Sequence, residues 1–330
     1  MTGEDYFDQT PWQLSDDERA HQQRWACLSG LEEGTPNEKR RHHFVPRMWL
    51  RNWADPDTGQ IEVFDARRGH SFNPGTGQVM LEADLYRAGF QLANGRDMGP
   101  EEVFSRIEAA ATGALRSVLD DLELDDAGRY DLSLLIALQF VRVPGQMRRA
   151  IPTDPGGVRE ATTARARYFL ERPDQPAPNE MGASARGRST HEIAEVLLAG
   201  VEELVGFERG MMLRDLLTSI HDGATRIYRR HWTVIRTDSV LLFSDNPVPL
   251  PPLGGTTLRH RGEVTTWDTP VPLDPHTVLA IGNRSRGSGD APAELARHYA
   301  AVSNEVQIAR SERFLVSPVR TGSAGPLYLI

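Results

Sequence analysis

Two adjacent histidines, His42 and His43, lie in a basic stretch of the chain, KRRHHFVPRMWLRNW. An imidazole can act as a general base near neutral pH or as a ligand for a divalent metal. Pro46 stiffens the backbone just after the pair, and the large apolar residues that follow it predict an anchor in the core. We therefore expect His43 to be held in a fixed position, and we expect His42 and the basic residues before it to form a solvated flank.

Two carboxylates border the apolar face of the first long helix that the sequence predicts. The helix begins after Pro100, and Glu101 and Glu108 are seven residues apart, so at about 100° per residue they nearly superpose at the edge of that face. A carboxylate beside a buried face is costly unless it is paired or binds something. Both interpretations, a structural ion pair and a functional carboxylate, remain open at this point.

The next predicted helix, from Leu132 to about Met147, carries two polar side chains on its apolar face. Gln139 continues one apolar row, and Arg142 continues another. Because an arginine keeps its charge, an interior Arg142 requires a carboxylate, a cluster of carbonyls or a bound anion. The alternatives are therefore a salt bridge to Glu108 or Glu101, or a clamp for an anionic substrate.

The segment LLFSDNPVPLPP ends a strongly β-forming run with Asp245 and Asn246 just before Pro247. A strand end can present such side chains at the edge of a sheet, but aspartate and asparagine are also ordinary turn residues. Asn304, on the last predicted helix, is a weak signal by itself.

The elements that must position these side chains indicate an α+β fold. The middle of the chain is mostly helical, and we expect a small, mainly antiparallel sheet formed by N-terminal and C-terminal strands. HWTVIRT and VLLFSD predict two strands of one hairpin. We predict an N-terminal extension over residues 1–38, one domain over 39–330, and a mobile Pro-, Gly- and Ser-rich loop over 173–190.

The composition limits the classes of function. The 330 residues carry a net charge of -9, which argues against a protein that coats nucleic acid through excess Lys and Arg. Cys27 is the single cysteine, so an intrachain disulfide and any multi-cysteine metal site are excluded. The first residues lack the apolar core of a secretory signal, and no apolar run approaches the ~20 residues that span a bilayer. We expect a cytoplasmic protein that does not enter membranes.

The order of several sequence blocks resembles the DUF4238 family, from about residue 40 to 317. The blocks are HHFVPRMWLRNWAD, IEVFDARRG, EADLYR, EEVFSRIE, LLIALQFVRVP, WTVIRTDSVLLFSDNPV, PLDPHTVLAIGN and SNEVQIARSERFLVS. The resemblance implies no activity, but it implies recurrent polar positions at His43, Arg47, Glu101, Glu108, Gln139, Arg142, Asp245, Asn246 and Asn304. These largely coincide with the positions that helical geometry marks as unusual, which favours one shared polar site.

The first hypothesis is a metal-assisted hydrolase of a phosphoester or phosphodiester, including a nuclease. The predicted catalytic residues are His43, Glu108, Gln139, Arg142, Asp245 and Asn246. Arg47, Arg142 and Asn304 would bind the phosphate-containing substrate. The predicted ligands for Mg, Mn or Zn, with Fe less favoured, are His43, Glu101, Glu108 and Asp245.

Two alternatives come from other classes of protein. The first is a non-catalytic module in which the polar residues recognise a small anion or tie the helices to the sheet. The second is a metal-dependent oxidase or other biosynthetic enzyme on the helical middle, although that part of the sequence, residues 100–230, contains no Glu-x-x-His pair of the kind that four-helix metal sites use. A nucleophile elbow and a Gly-rich phosphate loop are also absent, which disfavours serine hydrolases and P-loop enzymes.

Overall fold

The computed structural model describes residues 15–29, 41–83, 85, 101–121, 123–150, 155–173, 188–199, 216–248, 259–260, 263–264, 269–282 and 293–319. Most of the predicted loop over 173–190 and much of the predicted extension over 1–38 lie outside these residues. The strands are β1 (Arg41–His43), β2 (Glu62–Asp65), β3 (His70–Phe72), β4 (Leu81–Ala83), β5 (His231–Arg236), β6 (Phe243–Ser244), β7 (Arg259–His260), β8 (Glu263–Val264), β9 (Thr269–Asp274), β10 (Thr277–Gly282) and β11 (Phe314–Ser317).

The helices that position the site are α3 (Glu101–Leu119), α4 (Asp126–Val141) and α9 (Ala293–Arg310). The others are α1 (Asp16–Ser29), α2 (Arg47–Leu50) with a 3₁₀ turn at Arg51–Trp53, α5 (Pro144–Ala150), α6 (Pro155–Leu170), α7 (Thr190–Ala199) and α8, whose described helical residues are 216–228. No helix among the described residues is long and apolar enough to cross a membrane.

A four-stranded antiparallel sheet joins the two ends of the chain, which confirms the predicted α+β arrangement. The strand order is β3-β2-β11-β6, so a C-terminal strand pairs with an N-terminal one. In this pair Val63 of β2 lies opposite Val316 of β11, and both are fully buried. Alternation of side chains across the strands therefore gives the sheet one face that packs on the core.

The predicted hairpin of β5 and β6 is wrong. β5 pairs with β10 in a separate three-stranded antiparallel sheet, in the order β5-β10-β9, whereas β6 pairs with β11. All six residues of β10 are buried, so this strand takes the centre and needs a neighbour on each side. The segment after β5 then crosses to the other sheet and carries Asp245 with it.

Helix α3 has the face that the sequence predicts, whereas α4 has other limits. The whole predicted apolar stripe of α3 is buried: Val103, Phe104, Ile107, Ala111, Ala114, Leu115 and Val118. Helix α4 begins at Asp126, six residues before the predicted start, because the carboxylate of Asp125 accepts a hydrogen bond from Gly128 N at 2.7 Å as an N-cap. It ends at Val141, because Pro144 cannot continue a helix and instead begins α5.

The main core extends along most of the chain, from Leu28 on α1 to Val316 on β11. Trp49 and Trp53 anchor the segment after the histidines in this core, as predicted. The indole nitrogen of Trp49 donates to Pro272 O at 3.1 Å, and that of Trp53 donates to Leu241 O at 3.4 Å. Helices α6 and α7 form a second, smaller cluster of their own.

Candidate functional site

The two histidines lie on β1, which pairs with β4 in a two-stranded antiparallel ribbon. Neighbouring side chains of a strand point to opposite faces. His42 is fully buried, whereas His43 is half-buried. The prediction that His42 belongs to a solvated flank is therefore wrong, because the alternation of β1 places it on the inner face.

His42 contacts the first of the two predicted carboxylates. Its Nδ1 lies 3.2 Å from Oε2 of Glu101, the first residue of α3. The Glu101 side chain is 19 % exposed, so this carboxylate lies at the boundary between the core and solvent. A carboxylate at one ring nitrogen selects the tautomer and orientation of an imidazole, and here it does so for a histidine that solvent does not reach.

Arg142 is buried and binds both a carboxylate and the main chain of the histidine segment. Its Nη1 donates to Glu108 Oε1 at 2.6 Å, its Nη2 to the carbonyl of His43 at 2.6 Å, and its Nε to the carbonyl of Phe44 at 3.0 Å. Of the two alternatives that the sequence left open for Arg142, the structure contains the salt bridge, and its partner is Glu108. Each nitrogen of the guanidinium donates to a protein oxygen. Arg142 therefore holds the backbone of residues 43 and 44 in place.

Gln139 adds a second hold on the same backbone. It lies one turn before Arg142, is fully buried, and donates from Nε2 to the carbonyl of Phe44 at 2.9 Å. Its Oε1 is buried and has no hydrogen-bond partner among the described residues. Residues 139 and 142 share one face of the helix and its cap, so the last turn of α4 holds the end of β1 in place.

Asp245 holds a different piece of main chain. The carboxylate is 3 % exposed and accepts hydrogen bonds from Glu312 N at 2.8 Å and Phe314 N at 3.0 Å, at the turn between α9 and β11. Burial raises the pKa of Asp245 to about 6, although the hydrogen bonds from Phe314 N and Glu312 N act in the opposite direction. Asn246 donates from Nδ2 to Arg310 O at 3.4 Å and so approaches the end of α9.

Two side-chain amides of α9 bind the segments that precede and follow Asp245. Asn304 accepts from Leu242 N at 2.7 Å and donates to Val240 O at 3.0 Å. Gln307, which is fully buried, accepts from Ser244 N and Oγ at 3.0 and 2.7 Å and donates to Pro247 O at 3.1 Å. These side chains bond to main-chain groups of β6 and of the residues on either side of it, whereas β6 itself pairs with β11.

All the predicted site residues except Arg47 lie in two clusters, which also contain His42 and Gln307. The histidine cluster contains His42, His43, Glu101, Glu108, Gln139 and Arg142, and the turn cluster contains Asp245, Asn246, Asn304 and Gln307. A relay joins them, because Asp245 accepts from Glu312 N and the Glu312 carboxylate accepts from Gly145 N at 3.1 Å, three residues after Arg142.

The four predicted metal ligands are not gathered into a metal site in this structure. Within the described ranges, no group of three or more His, Cys, Asp or Glu side chains is placed to hold an ion. Glu101 contacts His42, Glu108 contacts Arg142, and Asp245 contacts main-chain N–H groups. Metal binding by this set would require these carboxylates to leave their present partners.

Arg47 is the predicted anion-binding residue that stays available. Its side chain is exposed, and it makes no ion pair in the described part of the chain. The guanidinium lies over Gly77, where an added Cβ would come 3.3 Å from Cζ. Met80 O accepts from Phe44 N at 3.0 Å, so the loop that carries Gly77 and the end of β1 that carries His43 are adjacent.

The sequence prediction missed His42 and Gln307 as parts of these clusters. Strand alternation through RHHF is the signal that would have identified His42, because Phe44 is a large apolar residue that is expected to point inward and a strand turns every second residue to one face. For Gln307 the signal is its position one turn after Ser303 on a buried row of α9.

Comparison with known proteins gives one match. The family model described as a protein of unknown function, DUF4238, matches residues 41–320. No curated protein and no solved structure matches the chain.

Proposed function

Because the chain belongs to the DUF4238 family of proteins of unknown function, we propose its activity from the site alone: hydrolysis of phosphoesters or phosphodiesters. His43 is the general base that accepts a proton from the attacking water. The water oxygen forms the new bond to phosphorus, and the leaving oxygen takes a proton from the histidinium or from solvent. Arg47 binds the phosphate oxygens.

The observation that carries the proposal is the hydrogen bond from Arg142 Nη2 to the carbonyl of His43. A guanidinium with 1 % exposure has been removed from water at considerable cost, and its ion pair with Glu108 offsets only part of that cost. What the arrangement provides is a fixed backbone at a histidine whose ring remains partly accessible. A general base must stand within hydrogen-bond reach of the proton that it takes, so a fixed position favours this role.

Arg47 supports the phosphate part of the proposal. A guanidinium can donate two parallel hydrogen bonds to phosphate oxygens, and that of Arg47 has no carboxylate partner among the described residues to compete for them. Its position over Gly77 lies next to the β1 end that carries His43. Arg142, which the sequence predicts as a second anion ligand, has the role of positioning the base.

A divalent ion and the cellular compartment are separate parts of the proposal. Mg, Mn or Zn is proposed as an activator, and no step above depends on it. A cytoplasmic location is favoured by a single cysteine in 330 residues, because such usage is typical of a reducing compartment.

The test uses the purified full chain with p-nitrophenyl phosphate and bis(p-nitrophenyl) phosphate, each with EDTA and with added Mg, Mn or Zn. We expect the wild-type rate to fall on the acid side of its pH profile, where the base is protonated, and we expect His43→Ala to remove the activity. His70→Ala is the matched control, because His70 is an exposed histidine on β3. Arg47→Ala should raise KM more than it lowers kcat. The KM of Arg47→Lys should lie between those of the wild type and Arg47→Ala. Equal rates for wild type and His43→Ala would refute the assignment.

A non-catalytic module is the second candidate, and a specific observation favours it. Five buried or half-buried polar side chains form hydrogen bonds with main-chain groups, as expected of a scaffold that fixes irregular backbone. They are Arg142, Gln139, Asp245, Asn304 and Gln307. In that case neither phosphate substrate is cleaved under any metal condition. Inorganic phosphate would then still raise the melting temperature through Arg47 if the module binds small anions, and Arg47→Ala would remove that effect.

A further inference from the structure

A second polar site lies between α1 and α8, outside the clusters described above. The two helices enclose a cleft of about 320 Å³, at the lower end of the ~300–1,000 Å³ typical of small-molecule sites. His21 comes from α1, and His221 and Arg226 come from α8. α1 precedes the family match at residues 41–320, so the cleft combines this region with a helix of the family domain.

Helix α1 is held in place by defined contacts, which gives the cleft a fixed wall. Its first turn is closed by a capping box, in which Ser15 Oγ accepts from Glu18 N at 3.2 Å and Glu18 Oε2 accepts from Ser15 N at 2.8 Å. Arg24 binds the buried Asp131 of α4 through two hydrogen bonds, at 2.9 and 2.7 Å. Leu28 joins the main core.

His21 is a buried histidine whose ring nitrogens lack a protein partner among the described residues. It is 6 % exposed, and its ring stacks on that of Tyr130 with centroids 4.0 Å apart and an interplanar angle of 7°. The ring lines the cleft, yet neither of its nitrogens has a hydrogen-bond partner among the described residues. These nitrogens are not among the fully buried unpartnered atoms of the described residues, so they face the space of the cleft and are available there to a bound molecule or to water.

His221 presents a second imidazole nitrogen to the same space. Its Nδ1 lies 2.7 Å from the hydroxyl of Tyr130, and burial raises the pKa of that phenol, which therefore stays protonated. The bond fixes the ring and leaves Nε2 for the cleft that His221 lines, since no described group bonds to it. Tyr130 thus positions both histidines, one by stacking and the other by a hydrogen bond.

Arg226 supplies a cation at the rim. It is exposed, lines the cleft and makes no ion pair in the described ranges, whereas the neighbouring Arg229 is paired with Glu18. Two carboxylates of the lining oppose an anion: Asp222, which is exposed at the rim, and Glu18, whose charge is offset by Arg229.

We propose that this cleft binds a small molecule through a carboxylate or phosphate group, held by Arg226 and by N–H donors of His21 and His221. This site does not depend on the phosphoesterase proposed above. An oxyanion accepts hydrogen bonds from the guanidinium and from imidazole nitrogens, and it satisfies the buried ring of His21.

Proton linkage follows from the surroundings of the two histidines. Burial is the main cause that lowers the pKa of each, so both rings are mainly neutral at neutral pH in the empty cleft. For His21, Asp17 of α1 and Asp126 of α4 act in the opposite direction, while His221 and Arg229 of α8 add to the lowering; for His221, Asp222 opposes it. A bound oxyanion favours the protonated rings, so affinity should increase as the pH falls.

Calorimetry on the full chain tests the proposal with inorganic phosphate and with citrate as probes, at pH 6 and pH 8. We expect at least one probe to bind, and to bind several-fold more tightly at pH 6. The tighter of the two probes identifies phosphate or carboxylate as the preferred group. Absence of binding by both probes at pH 6 would overturn the proposal and leave the cleft to water.

Variants locate the binding. Arg226→Gln and His21→Phe should each weaken the affinity at least about tenfold, and phenylalanine keeps the stack on Tyr130 while it removes the nitrogens. Arg230→Gln is the control, since it removes the same charge one turn further along and outside the cleft lining. Asp222→Asn should tighten anion binding, and weaker binding by this variant contradicts an anionic ligand. Unchanged affinity in both Arg226→Gln and His21→Phe also overturns the site. Arg226 is exposed, so its variant remains informative even if His21→Phe does not fold.

Discussion

Arg142 and Glu108 form an ion pair, with Nη1 and Oε1 2.6 Å apart, in which the arginine side chain is 2 % exposed and the carboxylate 27 % exposed. The other guanidinium nitrogens bond to the carbonyls of His43 and Phe44. The pair therefore joins α3, the end of α4 and β1 at one point. Its energetic role differs from that of an exposed pair, because the loss of one partner leaves the other groups without their hydrogen bonds.

Arg142→Met is expected to lower the free energy of unfolding by roughly 3 kcal/mol, the scale for removing one partner of a buried pair. The reason is that Glu108 and the carbonyl of His43 lose a donor, while the carbonyl of Phe44 keeps only the hydrogen bond from Gln139. In urea unfolding, the double variant with Glu108→Leu should cost at least about 1 kcal/mol less than the sum of the single variants. Glu102→Gln is the control on the same helix, since Glu102 pairs with Arg106 at the surface and should change stability by less than about 0.5 kcal/mol. Additive costs for Arg142 and Glu108 would show that the pair is not coupled.

The two histidines should differ in their effect on stability. His42→Ala is expected to cost roughly 2–4 kcal/mol, because it empties a fully buried position and removes the partner of Glu101. His43→Ala should cost less than about 1 kcal/mol, because Arg142 holds His43 through its carbonyl, which alanine retains. Thermal and urea unfolding of both variants measure this order. The reverse order would mean that His43 is the buried member of the pair.

Much of this site could be predicted from the polar residues on apolar faces. The inward position of Arg142 follows from helix geometry, and the cost of a buried charge requires a partner, but the sequence left Glu108, Glu101 and a bound anion open as that partner. Main-chain partners could not be predicted in this way, because the carbonyls of His43 and Phe44 become acceptors only when β1 meets the end of α4. For the same reason Asp245, a natural turn residue in the sequence, turned out to hold a second turn, at residues 312–314.

The sheet shows a similar limit. The strands near both ends of the chain were predictable from their composition, but the partner of each strand was not. β5 and β6 look like a hairpin because they are close in sequence, and the fully buried β10 takes β5 as its neighbour instead. Burial on both sides of a central strand is a property of the assembled sheet, which local turn signals do not encode.

Asp245 should give the protein a pH-dependent stability component. Its folded-state pKa of about 6 is above the ordinary 3.8, so the folded protein binds more protons between these values than the unfolded chain. The contribution is therefore fully present below pH 3.8 and is lost as the pH rises through about 6. Two pKa units correspond to roughly 3 kcal/mol. Urea unfolding from pH 4 to pH 7 should show this loss in the wild type and not in Asp245→Asn.

The comparison between variants matters because other carboxylates contribute with the opposite sign at the acid end of this range. For example, Arg313 lowers the pKa of Asp65 below the ordinary 3.8, so its contribution is present above that pH and is lost as the pH falls below it. Asp57→Asn, at an exposed carboxylate, serves as the control for the loss of one surface charge. A parallel pH dependence for wild type and Asp245→Asn would mean that Asp245 is ionised across the whole range.

Two glycines should respond to alanine with opposite signs. Gly113 lies exposed in the interior of α3, and an added Cβ there meets no atom within 4 Å, so Gly113→Ala should stabilise the protein by about 0.5–1 kcal/mol through helix propensity. A Cβ at Gly145 would overlap the carboxylate of Glu312, which accepts from Gly145 N. Glu312 would have to leave, so we expect a loss of about 1 kcal/mol for its hydrogen bond. Urea unfolding gives both signs, and stabilisation by Gly145→Ala would show that the relay between Arg142 and Asp245 does not contribute to folding.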